Sequence, residues 1–273
     1  MMIVNVSAYR FQTVPREDLA RLKADLQARA VTLALKGTIL LAEEGINLYV
    51  AGESSAIQAY QAFLADETPF GGLFYKESQS ETAPFRHMRV KIRRELIRMN
   101  VDFIQPERGT APHVLPAELK RWYEEGKEMI VLDTRNDYEV ALGTFQDAIS
   151  LHIEKFTEFP EALKQLPESA KQKPIVTFCT GGIRCEKAAA YMLHAGFTEV
   201  YQLSGGILNY FTETDGAYYN GECFVFDHRL TIDTTQTETQ TEACLAARVN
   251  GAVHTDACPY CAHLRESRRG VTA

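Results

Sequence analysis

The chain has 273 residues, 45% of them hydrophobic and 24% charged, with a formal net charge of −7. That length exceeds one average domain and suits two, and the composition is that of a globular chain, not a disordered one. The acidic balance excludes whole-protein attraction to nucleic acid or an anionic membrane, so any such contact has to come from a local basic patch.

No apolar run reaches the roughly 20 residues that cross a bilayer. Met1 to Phe11 lacks the charged start, apolar centre and small-residue cleavage site of a secretory leader, so a cytoplasmic location is expected. Six cysteines, at 179, 185, 223, 244, 258 and 261, crowd into the second half. In a reducing compartment this pattern points to thiol or metal chemistry before a disulfide framework.

Residues 1–101 form a first segment. Ile3 to Tyr9 is strand-like, and Pro15 to Leu35 carries Leu19, Leu22, Leu26 and Ala30 at helical spacing. Gly37 to Ala42 and Ile46 to Val50 are strands joined by a turn at Glu44-Gly45, Ser54 to Leu64 is helical, and Met88 to Ile97 closes the segment as a strand. The order β-α-β-β-α-β predicts a ferredoxin-like α+β domain.

Residues 112–214 alternate strands and helices. Met129 to Leu132, Pro174 to Phe178 and Glu199 to Leu203 are strands, and Lys155 to Leu166 and Arg184 to Ala195 are helices. Such alternation predicts an α/β domain with a parallel sheet, whose reactive groups gather at the C-terminal ends of the strands. Residues 215–273 form an extension in which Gly221 to Phe226 is strand-like and the threonine-rich Thr231 to Thr241 reads as a flexible linker.

At the end of one predicted strand stands Cys179, followed by Thr180, Gly181, Gly182, Ile183 and Arg184 where a helix starts. Two glycines let successive amide N–H groups converge, and the helix start and Arg184 add positive charge. Each feature favours thiolate over thiol and activates the nucleophile at neutral pH. Cys185 is either a second thiol that resolves a sulfenate or persulfide on Cys179, or a core-facing helix residue. Asp133 and Arg135, at another strand end, form a pair that braces loops or lines the pocket, and Glu186 and Lys187 are expected to be partly exposed near the mouth of the site.

In the stretch Arg86 to Arg94, a strand would point Met88, Val90 and Ile92 to one face and His87, Arg89, Lys91 and Arg93 to the other. That is a basic stripe in an acidic chain, with Arg86, Arg89, Lys91, Arg93 and Arg94 as candidate RNA contacts. It is either a solvated face or a binding surface for an RNA backbone. In the tail, Cys258 and Cys261 form a C-x-x-C pair with Cys244, His254 and His263 nearby. A zinc site and a metal-free remnant tail both remain open readings. No nucleotide-cofactor motif is present in the sequence.

The run Cys-Thr-Gly-Gly-Ile-Arg resembles the C-x-x-G-x-R loop of rhodaneses. Leu132 to Arg135 with Tyr138-Glu139, and Leu203 to Ile207, resemble further signatures of that superfamily. Four residues separate Cys179 from Arg184, one fewer than in cysteine-dependent phosphatases, which speaks against phosphatase chemistry. The loop from Cys179 to Ala188, with Leu41 to Asn47 and Phe224 to Arg229, is similar to the tRNA uridine(34) hydroxylase family. The resemblance implies an acylphosphatase-like domain before a rhodanese-like one. It also implies oxygen-dependent 5-hydroxylation of the wobble uridine, with molecular oxygen as co-substrate and tRNA as partner. The tail departs from the family pattern in being shorter and poorer in C-x-x-C pairs. Rival readings are a thiosulfate or persulfide sulfurtransferase and a non-catalytic rhodanese-fold module that binds RNA or protein.

Overall fold

The structure, a computed structural model, describes residues 2–239. Cys244, His254, Cys258, Cys261 and His263, the zinc candidates, lie outside the described residues. The first domain runs β1 (Ile3–Phe11), α1 (Leu19–Thr32), β2 (Lys36–Ala42), β3 (Gly45–Gly52), α2 (Ser54–Asp66), β4 (Lys76–Ser80) and β5 (Met88–Ile92). The sheet order is β4-β1-β3-β2-β5. Its first four strands pair antiparallel as a ferredoxin-like fold does, and β5 adds parallel to β2.

The last strand of the β-α-β-β-α-β unit is therefore Lys76–Ser80, not Met88–Ile97. Lys-Glu-Ser-Gln-Ser has no apolar alternation, because one face of this edge strand is exposed and the other meets a polar contact. Strand alternation divides the sheet cleanly. Val6, Ile39, Leu41, Leu48 and Val90 pack under the helices with Leu19, Leu22, Leu26 and Ala30 of α1. The opposite face carries Ser7, Tyr9, Thr38, Leu40, Asn47, Tyr49, Lys76, Arg89 and Lys91, in register across all five strands.

The second domain contains β6 (His113–Val114), α3 (Pro116–Glu124), β7 (Ile130–Asp133), α4 (Asp137–Val140), β8 (Gly143–Phe145) and β9 (Ile149–Ser150). It continues through α5 (Phe159–Ala162), β10 (Ile175–Phe178), α6 (Ile183–His194), β11 (Val200–Leu203) and α7 (Gly206–Thr214). A parallel sheet of order β6-β11-β10-β7-β9 lies between two apolar layers. Leu132 and Ile175 pack with Phe159, Ala188 and Met192 on one face, and Val131 and Val176 with Leu119, Ile207 and Tyr210 on the other. The helix expected over 155–166 is broken into a turn at Phe156–Glu158, α5, and a further turn at Leu163–Gln165. Pro160 has no N–H to donate, so the helix restarts there.

Beyond α7 the chain returns to the second domain. In place of one strand over Gly221 to Phe226 there are two: β12 (Tyr219–Gly221) pairs with β8, and β13 (Cys223–Phe224) pairs with β14 (Thr231–Ile232). The threonine-rich stretch is not a free linker over its described part. Thr231 and Ile232 are buried, and Asp233 accepts the amides of Thr235 and Thr237.

Candidate active site at the domain junction

Strand β10 delivers Cys179 to its C-terminal edge, where the side chain is 1% exposed. The Gly182 amide donates to Cys179 Sγ at 3.1 Å. Gly182 reaches that position at φ +97°, and a Cβ there would stand 2.9 Å from the Tyr9 hydroxyl. Behind the loop, the amides of Ile207 and Leu208 donate to the carbonyls of Cys179 and Thr180, so the start of α7 fixes its back wall. Gly206 is needed there, since its Cβ would meet the Cys179 carbonyl at 2.5 Å.

Burial alone pushes the Cys179 thiol up. A hydrogen bond from the Cys185 thiol, the Arg184 charge and the amides of Arg184 and Gly182 outweigh it and bring the pKa down to about 5. Cys185 is raised well above the ordinary thiol value, first by burial and then by its bond to Cys179. Cys179 is thus the thiolate and Cys185 the protonated donor beside it.

Arg184 is not a free cation in the cradle. Its Nη1 and Nη2 donate to Glu139 Oε1 and Oε2 at 2.5 and 2.8 Å, with Glu139 fully buried. Thr180 Oγ1 donates at 3.3 Å to Glu139 Oε2 and to the Phe224 carbonyl. Asp133 and Arg135 form a second buried fork, and Arg135 also donates to the Gly143 carbonyl at 2.6 Å. That pair braces the end of β7 against β8 and does not border the cleft.

The cleft, of about 500 Å³, opens between the outer face of the first sheet and the Cys179 loop. Thr38, Leu40, Asn47 and Tyr49 line it on one side, Cys179 to Gly181 with Ile183 and Arg184 on the other, with Phe85, Phe156 and Phe226 as aromatic walls. Arg98 and Lys155 stand among its lining residues. Register carries this floor outward, because Arg89 pairs with Thr38 and Lys91 with Leu40. Of the basic stripe, Arg86, Arg89, Arg93 and Arg94 are exposed and Lys91 is half-buried. Arg94 is committed to Asp102 at 2.6 Å. Ile92, at the end of the edge strand, is 39% exposed.

Residues 3–96 match the family model described as the UPF0176 acylphosphatase like domain, and residues 115–213 match the rhodanese-like domain. A tRNA uridine(34) hydroxylase of Delftia acidovorans is 52% identical over 235 residues, covering 84% of this chain and 89% of that protein. Proteins of the same name from Cupriavidus necator and Bordetella petrii are 47% and 50% identical, covering 91% and 85% of this chain and 89% and 93% of their own length. The chain belongs to the tRNA uridine(34) hydroxylase family.

In this member of the hydroxylase family, the segments that first suggested the resemblance meet at the domain boundary. Glu44 and Glu95 both hold the Lys187 ammonium, each at 2.8 Å. Lys187 is 2% and Glu186 9% exposed, so neither shapes an open mouth, contrary to expectation. Tyr9 donates to Glu186 Oε1 at 3.0 Å, and Ala42, Leu96 and Ile183 close an apolar seam between the domains. Arg229, forked onto Asp227, reaches Ser78 of β4 at 2.9 Å. Sequence reasoning gave no role to Glu139, Tyr9, Tyr49, Phe226 or Lys76 at the site. Glu139 stood in the rhodanese-type signature, but Lys76 sits in a polar strand that carries no signal.

Proposed function

We propose that this chain hydroxylates C5 of the wobble uridine 34 of tRNA, using molecular oxygen, with Cys179 as the essential thiolate. The observation that carries the reading is the placement of the Cys179 thiolate at the end of a cleft whose floor continues into Arg89 and Lys91. A flipped-out base of a single-stranded anticodon loop fits such a cleft. Aromatic walls offer stacking while an adjoining basic strand holds backbone phosphates. Arg86, Arg89, Lys91 and Arg93 serve that purpose, joined by Arg98 at the cleft itself.

A thiolate near a uracil ring has a defined task. Adding to C6, it turns C5 into the nucleophilic carbon that hydroxylation must oxygenate, and elimination later restores the ring and frees the thiolate. One atom of dioxygen then enters the product. The other leaves as water, at the expense of two electrons from an external reductant.

Nucleoside mass spectrometry on tRNA from cells lacking the protein tests this reading. Loss of 5-hydroxyuridine-derived nucleosides, restored by wild type and not by Cys179→Ser, supports it. Restoration by Cys179→Ser would remove the thiol from the reaction. Wild-type levels in the deleted strain, with sulfur transfer from thiosulfate by the purified protein, would favour the sulfurtransferase reading.

A further inference from the structure

The peptide group between Gly181 and Gly182 is bonded at both ends. Its N–H donates to Cys179 Sγ at 3.1 Å, and its carbonyl accepts from Lys76 Nζ, also at 3.1 Å. Lys76 comes from β4 of the first domain and is 8% exposed. A buried ammonium needs an opposite charge or full hydrogen bonding to be tolerated. Among the described residues, no carboxylate lies within ion-pair distance of Lys76, whereas the buried Lys187 has two. Its ammonium lies 4.9 Å from the centre of the Tyr9 ring and 5.7 Å from that of Phe74, which shield it without neutralising it.

We propose that Lys76 is a positioning residue for the thiolate, acting through one peptide group. The ammonium draws electron density to the Gly181 carbonyl, which strengthens the Gly182 N–H as a donor to sulfur. Hydrogen bonds in series polarise one another in this way. The same contact holds the peptide in the orientation that aims its N–H at Sγ. The proposal rests on Cys179 being the reacting group of the proposed hydroxylation.

Other charges around the sulfur leave this role open. Arg184 is forked onto Glu139, and that pair carries no net charge. Glu186 is held by Tyr9 and Gln202 and stands 3.7 Å from His113. Tyr9 and Tyr49 are held neutral, both pushed up first by burial. Cys185 is the neutral donor described above. Lys76 bonds the loop directly and has no carboxylate among the described residues within ion-pair distance, and burial brings its own pKa down to about 8 while the thiolate opposes that fall. A function for the domain fusion follows: the first domain completes the electrostatics of the second domain's thiol.

The test reads the thiol itself, so its result stands apart from the fate of the tRNA assignment. Full-length wild type, Lys76→Met and Lys76→Arg are alkylated with iodoacetamide from pH 4 to 9, and the rate at Cys179 is followed by peptide mass mapping. The midpoint should rise by about one pH unit in Lys76→Met, and Lys76→Arg should restore it in large part. An unchanged midpoint in Lys76→Met, or equal displacement in both variants, overturns the proposal. If Lys76→Met fails to fold, the reciprocal measurement decides. The Lys76 ¹³Cε resonance should titrate at lower pH in Cys179→Ser than in wild type, and an identical midpoint overturns the proposal.

Discussion

Arg184 and Glu139 meet as a closed fork beneath the Cys179 loop, at 2.5 and 2.8 Å, with their side chains 5% and 0% exposed. The arginine therefore orders the loop before it acts as a charge. Glu139→Gln leaves a buried guanidinium without its counter-ion, a change that costs about 3–5 kcal/mol. Urea unfolding should show that loss as a lower midpoint. In the fraction that still folds, the uncompensated cation should make Cys179 more acidic.

Stability should carry the signature of the thiolate. The folded pKa of Cys179, about 5, lies below the roughly 8.5 of an unfolded thiol. For a depressed pKa, the stabilisation is complete above the unfolded value and disappears as pH falls through the folded one. The stability advantage of wild type over Cys179→Ser should therefore grow from pH 5 to pH 8. A gap independent of pH, measured by urea melts across that window, would contradict a thiolate at this position.

Charge reversal on the outer strand separates binding from chemistry. Arg89→Glu with Lys91→Glu should weaken tRNA binding and flatten the dependence of log affinity on log salt by about 0.7–0.9 per lost phosphate contact. Alkylation of Cys179 should proceed as in wild type, since neither side chain touches the loop. Filter binding at several salt concentrations checks the first statement and the alkylation rate the second.

The Lys187 ammonium, drawn from α6 toward Glu44 and Glu95, fastens the two domains. Lys187→Met leaves two partly buried carboxylates facing each other, so the seam at Ala42, Leu96 and Ile183 should open more often. Hydrogen exchange at the Leu96 amide, which donates to Glu44, should accelerate relative to the sheet core.

Much of this site was legible in the residues themselves. Cys179, its glycines and the strand before it stand together in the chain, and apolar periodicity marks α1, β10 and β11. Glu139 is the counter-ion of a residue 45 positions away, a relationship that no local pattern encodes. Lys76 was hidden for a different reason. Strand alternation is readable when one face is apolar, and the buried face of β4 is polar because it meets another domain's loop. Composition misled over the last described segment, since a threonine hydroxyl that looks solvated can be satisfied by neighbouring backbone, as Thr231 Oγ1 is by the Thr239 carbonyl, and Asp233 takes up the Thr237 amide.

The return of the chain after α7 bears on how such proteins can be inherited. The rhodanese-like match stops at residue 213, yet Thr180 donates to the carbonyl of Phe224, and Arg229 clasps Ser78 of the first domain. Recombination that moved residues 115–213 into another gene would transplant the thiol and its glycines. It would leave behind the Phe226 wall of the cleft, the Lys76 contact and the clasp. Such a fragment would be a rhodanese-like module once more, stripped of the surroundings that distinguish this lineage. The heritable unit here spans both domains and the strand pair that returns to join them.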